Sequence, residues 1–466
     1  MTVQSSYYYI LIFTKKLLIL LLTLPLQTLM LIKSHRSIDL MILTADILVF
    51  SAIVTCGFIA RNRFTLTENP NNYEISKGLF VTRKHHFQKR SIHCISVTQT
   101  IIQKLMRVYK ITLTSSKSTA WIILGKKALH NFSFHQKESI ENAPVFRSRN
   151  TDILLMSADF YASLTAALTL VPFIRSISIL INTTPHTLFH NVSLWEALGY
   201  HNLPPLLDTI SSALLLGWFA GFVLTFINFH HLRYYDFSSA LFIHRGLLTK
   251  SHTTIPKESI SATLIKQNLL MLLTGRYTAE LVISHESRCP HLTIGCYRKK
   301  SLRTSLALSG FLPTHKHYRK IRPAPSACKS YVFLPFSLLV ILSLCIILTD
   351  KLSACHIEPH LGIFLCLWCI VWFFHRFLSF FFSGLYEQKN RIILRTSKGL
   401  SLTEVIIPYK SLRAMGITQN IVQKHKGTCN LKIFIKNKKR KVFTLRHISI
   451  KKAAELTKKF CGFNFI

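Results

Sequence analysis

The sequence predicts a multi-pass α-helical membrane protein of about six helices in three hairpins, each hairpin followed by a small α+β module. Three observations carry that expectation. The 466-residue chain is 49% hydrophobic and only 17% charged, with mean hydropathy +0.31, where soluble domains carry roughly 25% charged residues. Its hydrophobic runs come in pairs. Its charge is one-sided, 58 Lys plus Arg against 19 Asp plus Glu for a net +39, and it is held between those pairs. Such a composition excludes a disordered chain, a collagenous fibre and a small disulfide scaffold.

Taken in order, residues 1–60 read as a first transmembrane hairpin, with apolar runs at 17–32 and 40–60. The first run is short and holds Pro25. No small-x-small cleavage site follows it, so it reads as a retained helix and not as a signal peptide. Residues 61–150 form a first basic module, with 16 Lys/Arg against 4 acids. A second hairpin, 151–228, contains the runs 153–181 and 206–229. A second module, 229–330, again has 16 basic residues and 4 acids. The third hairpin, 331–383, holds the runs 331–349 and 361–382, and the third module, 384–466, has 19 basic residues and 3 acids. Most runs reach or approach the roughly 20 residues that a helix needs to cross a bilayer. The loop 182–205 has no Lys or Arg and the loop 350–360 only Lys351. Basic excess marks the cytoplasmic side, so the modules are expected inside.

The modules are copies of one pattern. Aligned on Lys77-Gly78-Leu79, Arg245-Gly246-Leu247 and Lys398-Gly399-Leu400, each is flanked by alternating strand patterns. Two copies then read Ile255-Pro256-Lys257-Glu258-Ser259-Ile260 and Ile407-Pro408-Tyr409-Lys410-Ser411-Leu412, and the first reads Phe87-Gln88-Lys89-Arg90-Ser91-Ile92. Seven residues further on stands a glutamine in each: Gln99, Gln267 and Gln419. Gly78, Gly246 and Gly399 read as hairpin turns, because glycine accepts positive φ at little cost. The glutamines read as amides that satisfy backbone groups where a strand ends, with ligand contact as the alternative. After the last strands, Ser449 is placed to cap an amphipathic helix, which makes the module strands plus one helix.

These residues resemble the bacterial pleckstrin-homology-like family, also called the membrane-flanked domain family, of the YdbS and YdbT type. The x-Gly-Leu turn, the Ile-Pro-x-x-x-Ile segment, the following Gln and the flanking apolar pairs carry the resemblance. The threefold arrangement is similar to the longer YdbT-like members, over nearly the whole chain. The first copy departs from the pattern with Gln88 in place of proline. The resemblance implies a β-barrel capped by a C-terminal helix, in a protein of the bacterial inner membrane, and implies no enzymatic activity.

No phosphate loop, His-Glu-x-x-His, Gly-x-Ser-x-Gly or doubled Cys-x-x-Cys occurs, so neither catalytic nor metal nor cofactor residues are assigned. The 11 cysteines form no framework, and Cys366-x-x-Cys369 sits among apolar residues as small filler. The run Lys436, Lys438, Lys439, Arg440 and Lys441 reads as a hairpin tip. Its candidate partners are anionic lipid headgroups or an acidic protein; nucleic acid is disfavoured by the lack of interleaved aromatics. Asp46 and Asp159 fall inside apolar runs, where ionisable residues suggest either structural pairing or a transport path. The function expected is a non-enzymatic membrane scaffold whose modules bind partner proteins or anionic lipid. The alternative is a component of a transporter or channel with a path past those acids.

Overall fold

The computed structural model describes residues 64–77, 81–115, 118–126, 145–158, 205–237, 239–284, 291–298, 319–352, 359–388, 390–398, 401–436 and 442–461, with isolated positions between 44 and 59. The chain divides into two units, Met1–Val145 with Tyr234–Lys257, and Phe146–Arg233 with Glu258–Ile466. The middle sequence copy is therefore shared between the units.

In the first unit, β1 (Thr65–Glu68), β2 (Asn72–Lys77) and β3 (Arg83–Gln88) form an antiparallel three-stranded sheet. A 3-10 turn, Lys89–Ser91, leads into β4 (Ile92–Gln99), the short helix α1 (Ile101–Leu105), β5 (Val108–Ser115) and β6 (Thr119–Gly125). Alternate residues of a strand share a face, and here the inward set is apolar. Leu66, Tyr73, Ile75 and Phe87 from β1–β3 share one core with Ile92, Ile111, Leu113, Ile122 and Leu124 from β4–β6. β7 (Val145–Arg147) lies where the chain passes between units. Then β8 (Arg233–Asp236), β9 (Ala240–Arg245) and β10 (Lys250–Pro256), the front half of the second copy, extend the sheet of the first. The order is β6-β5-β4-β10-β9-β8-β7, with β10 antiparallel to β4.

The second unit opens with helices α2 (Asn150–Ser157) and α3 (Pro205–Phe229). The back half of the second copy follows: β11 (Ile260–Asn268), α4 (Leu269–Thr274), β12 (Arg276–Ile283) and β13 (His291–Arg298). Asp152 of α2 pairs with Arg276, and Ser148 Oγ accepts from Cys296 N at 3.4 Å, which fastens α2 to these strands. After β14 (Arg319–Ile321), helices α5 (Cys328–Leu352) and α6 (Pro359–Phe382) pack antiparallel, with ring pairs Tyr331–Phe380 at 5.7 Å and Phe336–Phe373 at 6.5 Å. The third copy has β15 (Gly384–Gln388), β16 (Arg391–Lys398) and β17 (Ser401–Pro408), then β18 (Leu412–Thr418), α7 (Ile421–His425), β19 (Thr428–Ile435), β20 (Val442–Ser449) and α8 (Ile450–Cys461). Again the sheet crosses copies: β13-β12-β11-β17-β16-β15-β14, beside a separate β18-β19-β20. Ala453, Leu456 and Phe460 of α8, at three- and four-residue spacing, close the third core over Leu431, Ile433 and Leu445.

The Ile-Pro-x-x-x-Ile segment has one structure in all copies. The 3-10 turns Lys89–Ser91, Lys257–Ser259 and Tyr409–Ser411 follow β3, β10 and β17. Each begins with a backbone N–H donated across the hairpin: Lys89 to Asn71 O (2.9 Å), Lys257 to Ser239 O (3.0 Å), Tyr409 to Asn390 O (3.1 Å). A β-bulge comes next in every copy, between Ile92 and Cys94, Ile260 and Ala262, and Leu412 and Ala414.

The expected six-helix, multi-pass architecture is corrected. Strand makes up about 48% of the described residues, arranged in four sheets. Among them one helix, Pro325–Cys345, is long and apolar enough to cross a membrane. Shorter apolar helices among the described residues are Leu216–Phe229 and Cys369–Phe382. The runs 17–32, most of 40–60 and most of 153–181 lie outside the described residues. The physical reason is that much of the apolar content belongs to sheet cores. In β12 the last six residues are all buried, and in β11 the first six are. Strands buried on both faces read as continuous hydrophobic runs and raise mean hydropathy as a helix would.

Candidate functional site

The most developed polar site among the described residues lies at one end of the third module, built on α7. Asn420 is the N-cap of this helix, and its backbone N–H donates to Gln423 Oε1 at 3.1 Å. Gln423 is 5% exposed, and its amide pairs with Asn430 in both directions: Nε2 donates to Asn430 Oδ1 at 2.9 Å and Oε1 accepts from Asn430 Nδ2 at 3.3 Å. Opposite Asn430 the β19–β20 ladder skips from Cys429↔Ile448 to Leu431↔Leu445, so Arg446 and His447 together face one residue. His447 has φ +59, a left-handed backbone that costs a non-glycine residue on the order of 1 kcal/mol or more. Asn430 Oδ1 takes the His447 N–H at 3.2 Å, replacing the ladder bond lost in the bulge.

The bulge aims two side chains outwards, as bulges do. Arg446 and His447 line an open pocket of about 570 Å³ with Thr418, Asn420, Val422, Lys432 and Thr444. They also line a smaller one of about 170 Å³ that includes Tyr331 and Arg376 from the helix pair. Gln423 Nε2 sits 3.3 Å from His447 Nδ1 and donates to it when that nitrogen is unprotonated. Burial, then the charges of Arg446 and Lys426, hold His447 below its ordinary value of 6.5, so the ring is neutral at pH 7. Ile421 and Val422, on the first turn of α7, are 80% and 63% exposed beside Lys424 and Lys426. The arrangement offers two cations, several hydroxyl and amide groups and an exposed apolar turn: it suits an anionic head group with an apolar body.

The other copies differ at these positions. The first keeps the cap, with Thr100 N donating to Gln103 Oε1 at 2.9 Å, but has Lys110 where the third has Asn430. The second has Met271 and Thr278 in place of the amide pair, joined by a Thr278 Oγ1 to Met271 Sδ contact of 3.3 Å. The Thr100-Ile-Ile-Gln103 and Asn420-Ile-Val-Gln423 segments are capping-box patterns, a signal sequence reading passed over. His447 carries no such signal.

The residues singled out from sequence are dispersed. Gly246 joins β9 and β10 with φ +103. Gln99 Nε2 donates to Val108 O at 3.5 Å, Gln419 Nε2 to Thr428 O at 2.9 Å, and Gln267 Nε2 to Met271 O at 3.3 Å. Lys436 is exposed at the far end of β19, about 25 Å from the α7 end at roughly 3.3 Å per residue. Its backbone carbonyl accepts from Ser261 Oγ at 2.9 Å. Gly78, Gly399, Lys438, Lys439, Arg440, Lys441, Asp46 and Asp159 lie outside the described residues. Buried Cys296 has its thiol pushed up to about 11 by desolvation, which keeps it protonated and inert.

Two three-stranded sheets packed on one core, joined by a 3-10 turn and closed by a C-terminal helix, define a pleckstrin-homology-like module. The chain belongs to the bacterial PH domain family, which matches it three times, at residues 18–138, 167–301 and 334–460. It is also similar to the UPF0699 transmembrane protein YdbT of Bacillus subtilis (strain 168), 25% identical over 347 residues. That match covers 64% of this chain and 66% of the relative, just under two thirds of the relative's length.

Proposed function

We propose that this protein is a non-enzymatic, membrane-associated scaffold of the bacterial inner membrane. Its PH-like modules lie on the cytoplasmic side and bind partner proteins and anionic lipid headgroups, and the pocket on α7 is the lipid contact. One observation carries the reading: the pocket end of the third module is where the apolar helix Pro325–Cys345 begins. Ala324 N donates to His447 O at 2.9 Å, and the Tyr331 ring lies 5.9 Å from that of His447. A group fixed at the start of a membrane-crossing helix is within reach of headgroups. Arg319, Lys320, Arg322 and Lys329 at the same end fit the cytoplasmic face. The relative's name, a transmembrane protein, agrees with membrane association.

The test is a titration of the full-length protein in detergent with soluble short-chain phosphatidylglycerol, read by native mass spectrometry. At about 1 kcal/mol for each basic residue near an anionic surface, the Lys432→Gln, Arg446→Gln double variant loses about 2 kcal/mol, roughly thirtyfold in affinity. Phosphatidylcholine of equal chain length should bind poorly. Equal binding of both lipids, or an unaffected double variant, would remove the pocket from the proposal.

A further inference from the structure

The two joints between copies are one structure used twice. In the first unit β4 pairs with β10, from Gln99↔Lys250 to Ile95↔Thr254. In the second, β11 pairs with β17, from Asn268↔Ser401 through Gln267↔Leu402 to Thr263↔Ile406. Both joints place the repeat glutamine opposite the residue six positions before the strand-ending proline, Lys250 before Pro256 and Leu402 before Pro408. The register is identical although the side chains are not, so it is set by backbone geometry: the 3-10 turn and bulge that bound each strand.

Each copy therefore has one edge of each kind, and among the described residues one of each has no strand beside it. β3 corresponds to β10 and β17 but is the last strand of the β1-β2-β3 sheet. β18 corresponds to β4 and β11 but is the last strand of β18-β19-β20. Exposure agrees: the first six residues of β11 are buried, whereas Arg413 and Ala414 of β18 are exposed, as are Arg83, Lys84 and His86 of β3. Charge restricts the partner. Arg83 and Lys84 repel a second β3, since like charges opposite each other destabilise a pair and edge lysines block indiscriminate pairing. Residues 415–419, the end of β18 and Gln419 after it, read Met-Gly-Ile-Thr-Gln and carry no charge to meet them.

We propose that β18 of one molecule adds to β3 of a second copy in this same register, so that chains join head to tail. The alignment specifies the pairs: Gln419 faces Thr82, Thr418 faces Arg83, Ile417 faces Lys84 and Met415 faces His86. Because the two surfaces differ, the contact is heterologous and generates rings or open rows. It stands independently of the lipid pocket, which involves neither strand edge.

Full-length Met415→Cys and His86→Cys proteins, co-expressed and oxidised in native membranes, test the proposal. Expected is a disulfide-linked dimer from the mixture, absent from either variant by itself and absent when His86→Cys is replaced by the register-shifted Lys84→Cys. The double variant in one chain should give a ladder of multimers. An Ile417→Pro change, which removes a donor from the joining edge, should shift the detergent-solubilised protein from multimer to monomer mass. Folding of that variant is checked by unchanged protection of β19 in hydrogen exchange. Absence of the mixed dimer, equal linking by the shifted pair, or a double variant closing only on itself would each overturn head-to-tail joining.

Discussion

Gln88 stands where the other copies have proline, and its backbone is already proline-like. Its φ and ψ are −67° and 131°, against −63° and 142° for Pro408. The preceding Phe87 is in a strand, a conformation proline permits in its neighbour. Gln88→Pro should therefore stabilise the β2–β3 hairpin by about 0.4–1 kcal/mol, by restricting the unfolded chain. Hydrogen exchange of β2 and β3 in the intact protein measures it; a loss of protection would show that the Gln88 N–H is needed. His447 makes a pH prediction. Its folded value lies below the unfolded one, so its contribution is complete above about pH 6.5 and is lost as pH falls below that and through the lower folded value. Protonation at Nδ1 also removes the acceptor that Gln423 uses. Protection of β19 and β20 should fall on acidification in the wild type. In His447→Asn, which tolerates the left-handed backbone, it should not.

At the scale of elements, turn chemistry and core spacing decide. Gly246 holds φ +103 between β9 and β10, so Gly246→Val should cost about 1–3 kcal/mol. The readout is exchange in those two strands, and unchanged rates would show that the turn relaxes freely. Helix α8 is held by Ala453, Leu456 and Phe460, and Leu456 is 2% exposed. Leu456→Ala should destabilise the third module by about 2–5 kcal/mol and expose α8 to protease. The Gly-Leu turn at Gly246 and the C-terminal helix were legible as patterns, because each depends on a few neighbouring residues, whereas the Ile-Pro-x-x-x-Ile segment was legible as a repeat and not as a 3-10 turn. The short helices α1, α4 and α7 were not read. At five or six residues they are too brief for an apolar period, and only the caps at Thr100 and Asn420 announce two of them.

Across the whole molecule, the proposed cytoplasmic placement of the modules has a direct test. Trypsin added to inverted inner-membrane vesicles should release peptides from 229–284 and 384–461, while spheroplasts should protect them. The opposite pattern would reverse the orientation. The number of Lys and Arg residues makes the result insensitive to any one site. Mean hydropathy misled at this scale, because residues such as Ile260, Ala262, Leu264 and Leu281–Ile283 are buried in sheets and not in lipid-spanning helices.

The sequence by itself determined the threefold repeat, the turn at Gly246 and the family to which the chain belongs. Those features follow from local constraints: positive φ at Gly246, alternation within a strand. Only the tertiary structure decided that β4 takes β10 and β11 takes β17, and that Arg446 and His447 converge with Lys432 at the start of an apolar helix. Three copies of one module offer chemically similar edges. Which edges meet depends on contacts more than 130 residues apart, closed by backbone hydrogen bonds that any sequence can make.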